Sequence, residues 1–267
     1  MTDERYDVDP PDVGQLFRVD GKIAVITGAG TGIGRMAARV LARAGAAAIA
    51  TDIDGAAAEQ TAAEISGEGL KATAYRMDVT NEDEIVSVFA AVKKDHGPVG
   101  ILFNNAGIAK KAPSEELSLA DWNAVVDVNL TGVFVCAREA GKQMLAEGDG
   151  SIINVSSMWG HVGGGYTPNA SYHATKSAVI GLTRALAVEW GPRGVRVNDI
   201  APTFLKTKIT EALFSDRELH KQLEEFTPLR RTGYPADLAG AILYLASPAS
   251  ALVPGASHKV DGGWTAR

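Results

Sequence analysis

The sequence predicts a doubly wound α/β fold: one parallel sheet of seven strands covered by helices on both faces. Three observations carry this. Between residue 21 and about residue 260, short apolar runs alternate with longer amphipathic stretches, the order that strand–helix–strand crossovers produce. Several apolar runs are continuous in Val, Ile and Ala rather than alternating, as strands buried on both faces are. No repeat, low-complexity tract or break in composition divides the chain, so the alternation belongs to one sheet.

With 267 residues, 46% hydrophobic and 22% charged, the chain can bury one large core. Its net charge of −6 argues against nucleic acid as a partner. There is no signal-peptide core and no apolar run long enough to span a bilayer, so a cytoplasmic protein with no membrane partner is expected. Residues 1–17 are polar and acidic and read as a flexible arm ahead of a domain over 18–267. The single cysteine, Cys136, lies in an apolar run with neither a disulfide partner nor metal-ligand companions. It reads as a buried inert thiol, and no metal site is expected.

The elements follow in order. A strand over 22–27 runs into Gly28-Ala-Gly-Thr-Gly-Ile-Gly34 and a helix over 34–44. Glycines at 28, 32 and 34 permit a tight turn and close backbone approach to a diphosphate, which the helix amino terminus attracts. Between a buried strand and a helix, such a triplet is the mark of a dinucleotide site. The strand over 47–52 ends on Asp52, 18 residues beyond Gly34. A carboxylate there accepts from both hydroxyls of an adenine-side ribose and repels a 2′-phosphate. Thr31 stands in the glycine loop where a basic residue would favour that phosphate, so NAD is favoured over NADP. The competing role for Asp52 is to cap a helix beginning near Asp54.

A third strand over 71–76 leads to Asp78, either an acceptor for the adenine amino group or a turn residue before the helix over 81–96. The fourth, 99–104, leads into Asn104-Asn-Ala-Gly107, whose small residues suit backbone packed on a nucleoside. A long helix over 119–147 opens with the capping-box pattern Ser118-Leu-Ala-Asp121. Its apolar face, Trp122, Val125, Val126 and Val133, also carries Asn129, an amide that needs a partner or a bound water if buried. After the fifth strand, 151–156, Ser157 points a hydroxyl towards the presumed cleft, although serines at strand ends also satisfy turns.

The helix over 171–190 then places Tyr172 and Lys176 one turn apart on one face. A tyrosine with a pKa near ~10 is a poor base at neutral pH, and an adjacent ammonium favours the phenolate. A solvated helix face is the alternative for that spacing alone. A sixth strand over 195–200, a more polar region over 203–227, a helix over 235–247 and a strand over 257–260 complete the chain. The 203–227 region would overhang the carboxyl ends of the strands, where open α/β sheets bind ligands.

Taken together these residues resemble the short-chain dehydrogenases/reductases. The matching positions are Thr27-Gly-x-x-x-Gly-x-Gly34, Asp78, Asn104-Asn-Ala-Gly107, Asn129, Ser157, Tyr172-x-x-x-Lys176, Arg196-Val-Asn198 and Asp261-Gly-Gly263, spread over roughly residues 18–264. The resemblance implies a Rossmann-type sheet ordered 3-2-1-4-5-6-7. It implies that Tyr172 is the general acid–base, that Lys176 lowers its pKa and holds the nicotinamide ribose, that Asn129 anchors a relay water and that Ser157 binds the substrate oxygen. Ser157 is preferred to Ser156 because the family's serine stands three before a glycine, here Gly160. Cofactor contacts are expected from Gly28, Thr31, Gly32, Ile33, Gly34, Asp52, Asp78, Val79, Asn105, Ala106, Gly107, Tyr172, Lys176, Pro202, Thr203 and Thr207, and a homotetramer is expected.

Two departures stand out. The loop over 158–171 is glycine-rich and longer than usual, with His161, Tyr166 or Asn169 as candidates to touch substrate. Pro202-Thr203 replaces the usual Pro-Gly. Lys110, Lys111, Lys206 and Lys208 border the expected pocket, where they would either attract an anionic or polyhydroxylated substrate such as a sugar acid or simply be solvated. The expected activity is NAD-dependent interconversion of a secondary alcohol and a ketone on a polyol, sugar or sugar acid. The alternatives are a carrier-linked 3-oxoacyl reductase and a non-catalytic dinucleotide-binding regulator.

Overall fold

The computed structural model describes residues 9, 11–164, 167–207 and 210–267. Seven strands form one sheet: β1 Ile23–Thr27, β2 Ala47–Asp52, β3 Ala72–Arg76, β4 Val99–Asn104, β5 Gly150–Val155, β6 Val195–Pro202 and β7 Ser257–Val260. Their spatial order is β3-β2-β1-β4-β5-β6-β7, and every pairing is parallel. Each expected strand is present with its ends within two residues of where the apolar runs placed them.

Strand β1 shows how the sheet divides the core. Its Ala24 and Ile26 face one apolar cluster and its Ile23 and Val25 the other, the period-two alternation of a strand buried on both sides. On the first face lie α2 (Gly32–Arg43), α3 (Gly55–Gly67) and α10 (Ala239–Ala246), through Leu41, Ile65 and Ile242. On the second lie α4 (Glu82–His96), α6 (Gly132–Glu147) and α7 (Ala170–Trp190), through Phe89, Met144 and Trp190. Cys136 is among the fully buried residues of this second cluster, and burial pushes its thiol up to about 12, which makes it unreactive.

Helix ends follow the local chemistry. The Asn81 side chain accepts from Glu84 N to cap α4. Acidic Glu82, Asp83 and Glu84 fill the first turn and Lys93, Lys94 and His96 the last, each complementing the helix dipole. Ser118 caps α5 (Leu119–Val126) by accepting from Asp121 N at 3.1 Å. The helix expected over 119–147 is interrupted: between α5 and α6 the backbone widens into a π turn at Asp127–Thr131. Amphipathic spacing does not distinguish a π turn from continuous helix, and such turns occur often at functional sites.

Short α1 (Val13–Leu16) belongs to the expected amino-terminal arm and buries nothing. The 203–227 region also carries two helices, α8 (Glu211–Ser215) and α9 (Arg217–Phe226). The second is capped by Asp216, whose side chain accepts from Glu218 N and Leu219 N. It reads as polar because one narrow stripe, centred on Leu223, faces inward. There it joins Met158, Phe204 and Trp264 in a third apolar cluster.

Candidate active site

Strand order reverses between β1 and β4, and at such a switch point the loops beyond the strand ends part to leave a crevice. A cavity of about 310 Å³ lies there, its wall running from Asp52 and Asp78 past the glycine turn to Tyr172 and Lys176. Of the residues expected to contact a cofactor, Gly28, Thr31, Gly32, Ile33, Asp52, Asp78, Val79, Asn105, Ala106, Gly107, Tyr172, Lys176 and Thr207 line it. Gly34, Pro202 and Thr203 lie outside the wall. A Cβ on Gly34 would stand 2.1 Å from Gly28 O, so this glycine serves the packing of helix on turn. Thr203 is turned towards β7, with its N–H on Val260 O at 3.3 Å and its hydroxyl buried without a partner among the described residues. Ile53, Met77, Ile108, Val128 and Val155 complete the wall. They are apolar residues next to strand ends or on the π turn, and no spacing rule marks them.

The residues present fit a dinucleotide. Thr31 begins α2 without a side-chain cap, and no acidic residue occupies the first turn. The helix N–H groups and dipole therefore stay available to an anion. Asp52 accepts from Gly30 N at 2.9 Å and Asp54 N at 3.0 Å, while Asp54 caps α3. The nearby cations are already engaged, Arg35 by Glu64 and Arg76 by Glu84. Asp78 Oδ1 accepts from Thr80 N and Oγ1 at 2.9 and 2.7 Å, so the carboxylate shapes its turn and also faces the cavity.

Tyr172 and Lys176 share one face of α7. Lys176 Nζ lies 5.5 Å from the Tyr172 ring centroid and donates to Val155 O at 2.6 Å. Burial pushes the Tyr172 phenol above its usual value, opposed by a hydrogen bond with Ser157. Burial also lowers Lys176 to about 8, opposed by the charge of Asp199. The expected lowering of the phenol by Lys176 does not appear in the protein alone: burial raises it, and the Ser157 hydroxyl is what opposes the rise. Ser157 and Ser156 point to different partners. Ser156 Oγ donates to Asp199 Oδ1, while Ser157 Oγ accepts from Trp159 N at 3.2 Å and caps a turn over Met158–Gly160. That turn sits hard on α7, since a Cβ on Gly160 would come within 2.8 Å of Lys176 O.

Asn129 projects from the π turn fully buried. Its Oδ1 accepts from Ile108 N at 2.8 Å and its Nδ2 donates to Ile108 O at 2.9 Å. The amide thus clamps the segment after β4. His161 Nε2 is 2.8 Å from Ser257 Oγ rather than in the cavity. Asn169 stands just before α7, where its carbonyl lies 2.9 Å from His173 Nδ1. Lys110 pairs with Asp121 at 3.3 Å, and Lys111 is exposed. Lys206 donates to Tyr234 Oη at 3.2 Å and lies over the rings of Phe214 and Tyr234. It borders a second hollow of about 450 Å³ that shares Thr207 with the first. Tyr166 and Lys208 fall outside the described residues.

The chain is similar to known proteins over nearly its whole length. A family profile described as enoyl-(acyl carrier protein) reductase matches residues 28–265. The chain is 39% identical to the D-threitol dehydrogenase of Mycolicibacterium smegmatis, over 93% of this chain and 95% of that one. It is 42% identical to a galactitol 2-dehydrogenase (L-tagatose-forming) of Cereibacter sphaeroides, over 94% and 97%. A crystal structure of a gluconate 5-dehydrogenase from Burkholderia cenocepacia, in complex with NADP and tartrate, superposes with a TM-score of 0.92 at 37% identity, covering 96% of this chain and all of that one.

Proposed function

The chain belongs to the short-chain dehydrogenase/reductase family, and we propose that it uses NAD(H) to interconvert a secondary alcohol and its ketone, on a polyol, sugar or sugar acid. One observation carries the reading: a phenol within reach of the Ser157 hydroxyl, with the Lys176 ammonium on the same helix face, stands in the wall of a cavity that opens on a free helix amino terminus. When bound, the nicotinamide supplies the hydride acceptor or donor and, oxidised, a positive charge that works against the burial holding the phenol protonated. Tyr172 Oη takes the hydroxyl proton in oxidation and returns it in reduction. Ser157 Oγ holds the same substrate oxygen, and Lys176 Nζ binds the nicotinamide-side ribose. Asn129 holds the Ile108 wall in place and anchors a water that continues the proton relay.

NAD is preferred because Asp52 presents a carboxylate where a 2′-phosphate would have to lie, with Arg35 and Arg76 already paired to glutamates. The same carboxylate speaks against a carrier-linked 3-oxoacyl reductase that uses NADP. The relatives whose names include threitol, galactitol and gluconate support the substrate class. We further read residues 18–267 as one working domain with a substrate region over 203–227, acting in the cytoplasm as a homotetramer built on its long helices.

The test is cofactor reduction with a panel of polyols and sugar acids. The wild type should show a kcat/KM for NAD⁺ at least ~10-fold above that for NADP⁺, a margin of ~1.4 kcal/mol. Asp52→Ala should close most of that gap. A wild type that prefers NADP⁺ would remove Asp52 from the role given to it.

A further inference from the structure

Asp199, on β6, is a fully buried carboxylate that takes no part in the steps above. Its Oδ1 accepts from Ser156 Oγ and, at 2.7 Å, from Ser257 Oγ, and its Oδ2 is buried without a hydrogen-bond partner among the described residues. Because the Ser257 hydroxyl spends its proton on Asp199, it can only accept from His161, so Nε2 of His161 carries a hydrogen. The chain of contacts therefore runs His161–Ser257–Asp199–Ser156. Ser156 directly precedes Ser157, and it follows Val155, whose carbonyl receives Lys176 Nζ. Both reacting-side groups, the serine and the lysine, are thus anchored one residue from a side chain that Asp199 holds.

We propose that Asp199 is a positioning residue for the reaction: it fixes the corner over 155–161 that carries Ser157 and, through the Val155 carbonyl, seats the ammonium of Lys176. This rests on the assignment of Tyr172 and Lys176 above. Burial raises the Asp199 carboxyl, and the two serine hydrogen bonds oppose that. The titratable groups around it are Lys176 on α7, His161 after the 158–160 turn and His258 on β7, with Lys259, Arg184 and Asp261 acting in turn on His161. Asp199 is the charge that acts on Lys176 to keep its proton. No other buried carboxylate among the described residues stands at this end of the sheet in that relation to the lysine.

The variant Asp199→Asn keeps the shape and the acceptor for both serines but removes the charge. Lysine side-chain NMR titration, with the Lys176 signal assigned through Lys176→Met, should show the Lys176 midpoint at least half a pH unit lower in Asp199→Asn than in the wild type. The falling alkaline limb of kcat for alcohol oxidation should move down by the same amount. Ser257→Ala, which cuts the His161 link and keeps the charge, should lower kcat while leaving both midpoints in place. An unmoved Lys176 midpoint in Asp199→Asn overturns the proposal and leaves the catalytic pair intact. A midpoint that moves while the rate limb stays overturns the role of Lys176 itself, and the proposal with it.

Discussion

Asn105 acts on its neighbours. Its Nδ2 donates to Thr27 O at 2.9 Å and Gly28 O at 3.1 Å, and its own N–H reaches Thr27 Oγ1 at 2.9 Å. It thereby ties the end of β4 to the glycine turn. Asn105→Ala leaves two carbonyls without their donor, at a cost of about 1–3 kcal/mol. The expected outcome is a Kd for NADH raised about tenfold with a matching fall in the urea midpoint, read by fluorescence titration and denaturation. An unchanged Kd would mean that the turn holds its shape unaided. The motif placed Asn105 at the site but did not tell its task, because its acceptors lie almost eighty residues away along the chain. Asn129 is alike: its spacing said that a buried amide needs a partner, and only the fold supplies Ile108. For Tyr172 and Lys176 the shared face was legible. The direction of the phenol shift was not, since it is decided by how many groups exclude water from the ring.

At the scale of elements, the passage from β1 to α2 is the glycine turn that the sequence marked, and Gly34 is its tightest point. A Cβ there would meet Gly28 O at 2.1 Å and Asn105 Nδ2 at 2.7 Å. Backbone rather than a flexible side chain must give way. Gly34→Ala is expected to cost about 2–3 kcal/mol through overpacking and to abolish measurable NADH binding, with urea denaturation and fluorescence titration as the readouts. A stable variant that binds normally would show that the helix can shift without harm. Strand positions were legible because both-face burial writes continuous apolar runs into the chain. The π turn at Asp127–Thr131 was not, because residues three and four apart stay on one face whether or not one turn is widened. Helices α8 and α9 escaped notice for another reason: α8 is a single short turn, and the apolar positions of α9, Leu219, Leu223 and Phe226, are set in a strongly charged stretch.

Across the whole molecule, the parallel order β3-β2-β1-β4-β5-β6-β7 gathers residues from Gly28 to Thr207 around one cavity. Strand–helix alternation and the ordered motifs made that architecture readable. Substrate identity was not readable, because the segments over 158–171 and 203–227 pack through the tertiary cluster of Met158, Phe204, Leu223 and Trp264, which no local rule encodes. In the proposed reaction, proton transfer falls to a single oxygen, Tyr172 Oη. Its removal in Tyr172→Phe leaves the ring, the packing of α7 and the cofactor wall in place. Turnover of secondary alcohols by that variant, measured beside its NADH affinity, should fall at least ~100-fold with Kd held within about a factor of two. Turnover close to that of the wild type would contradict the account.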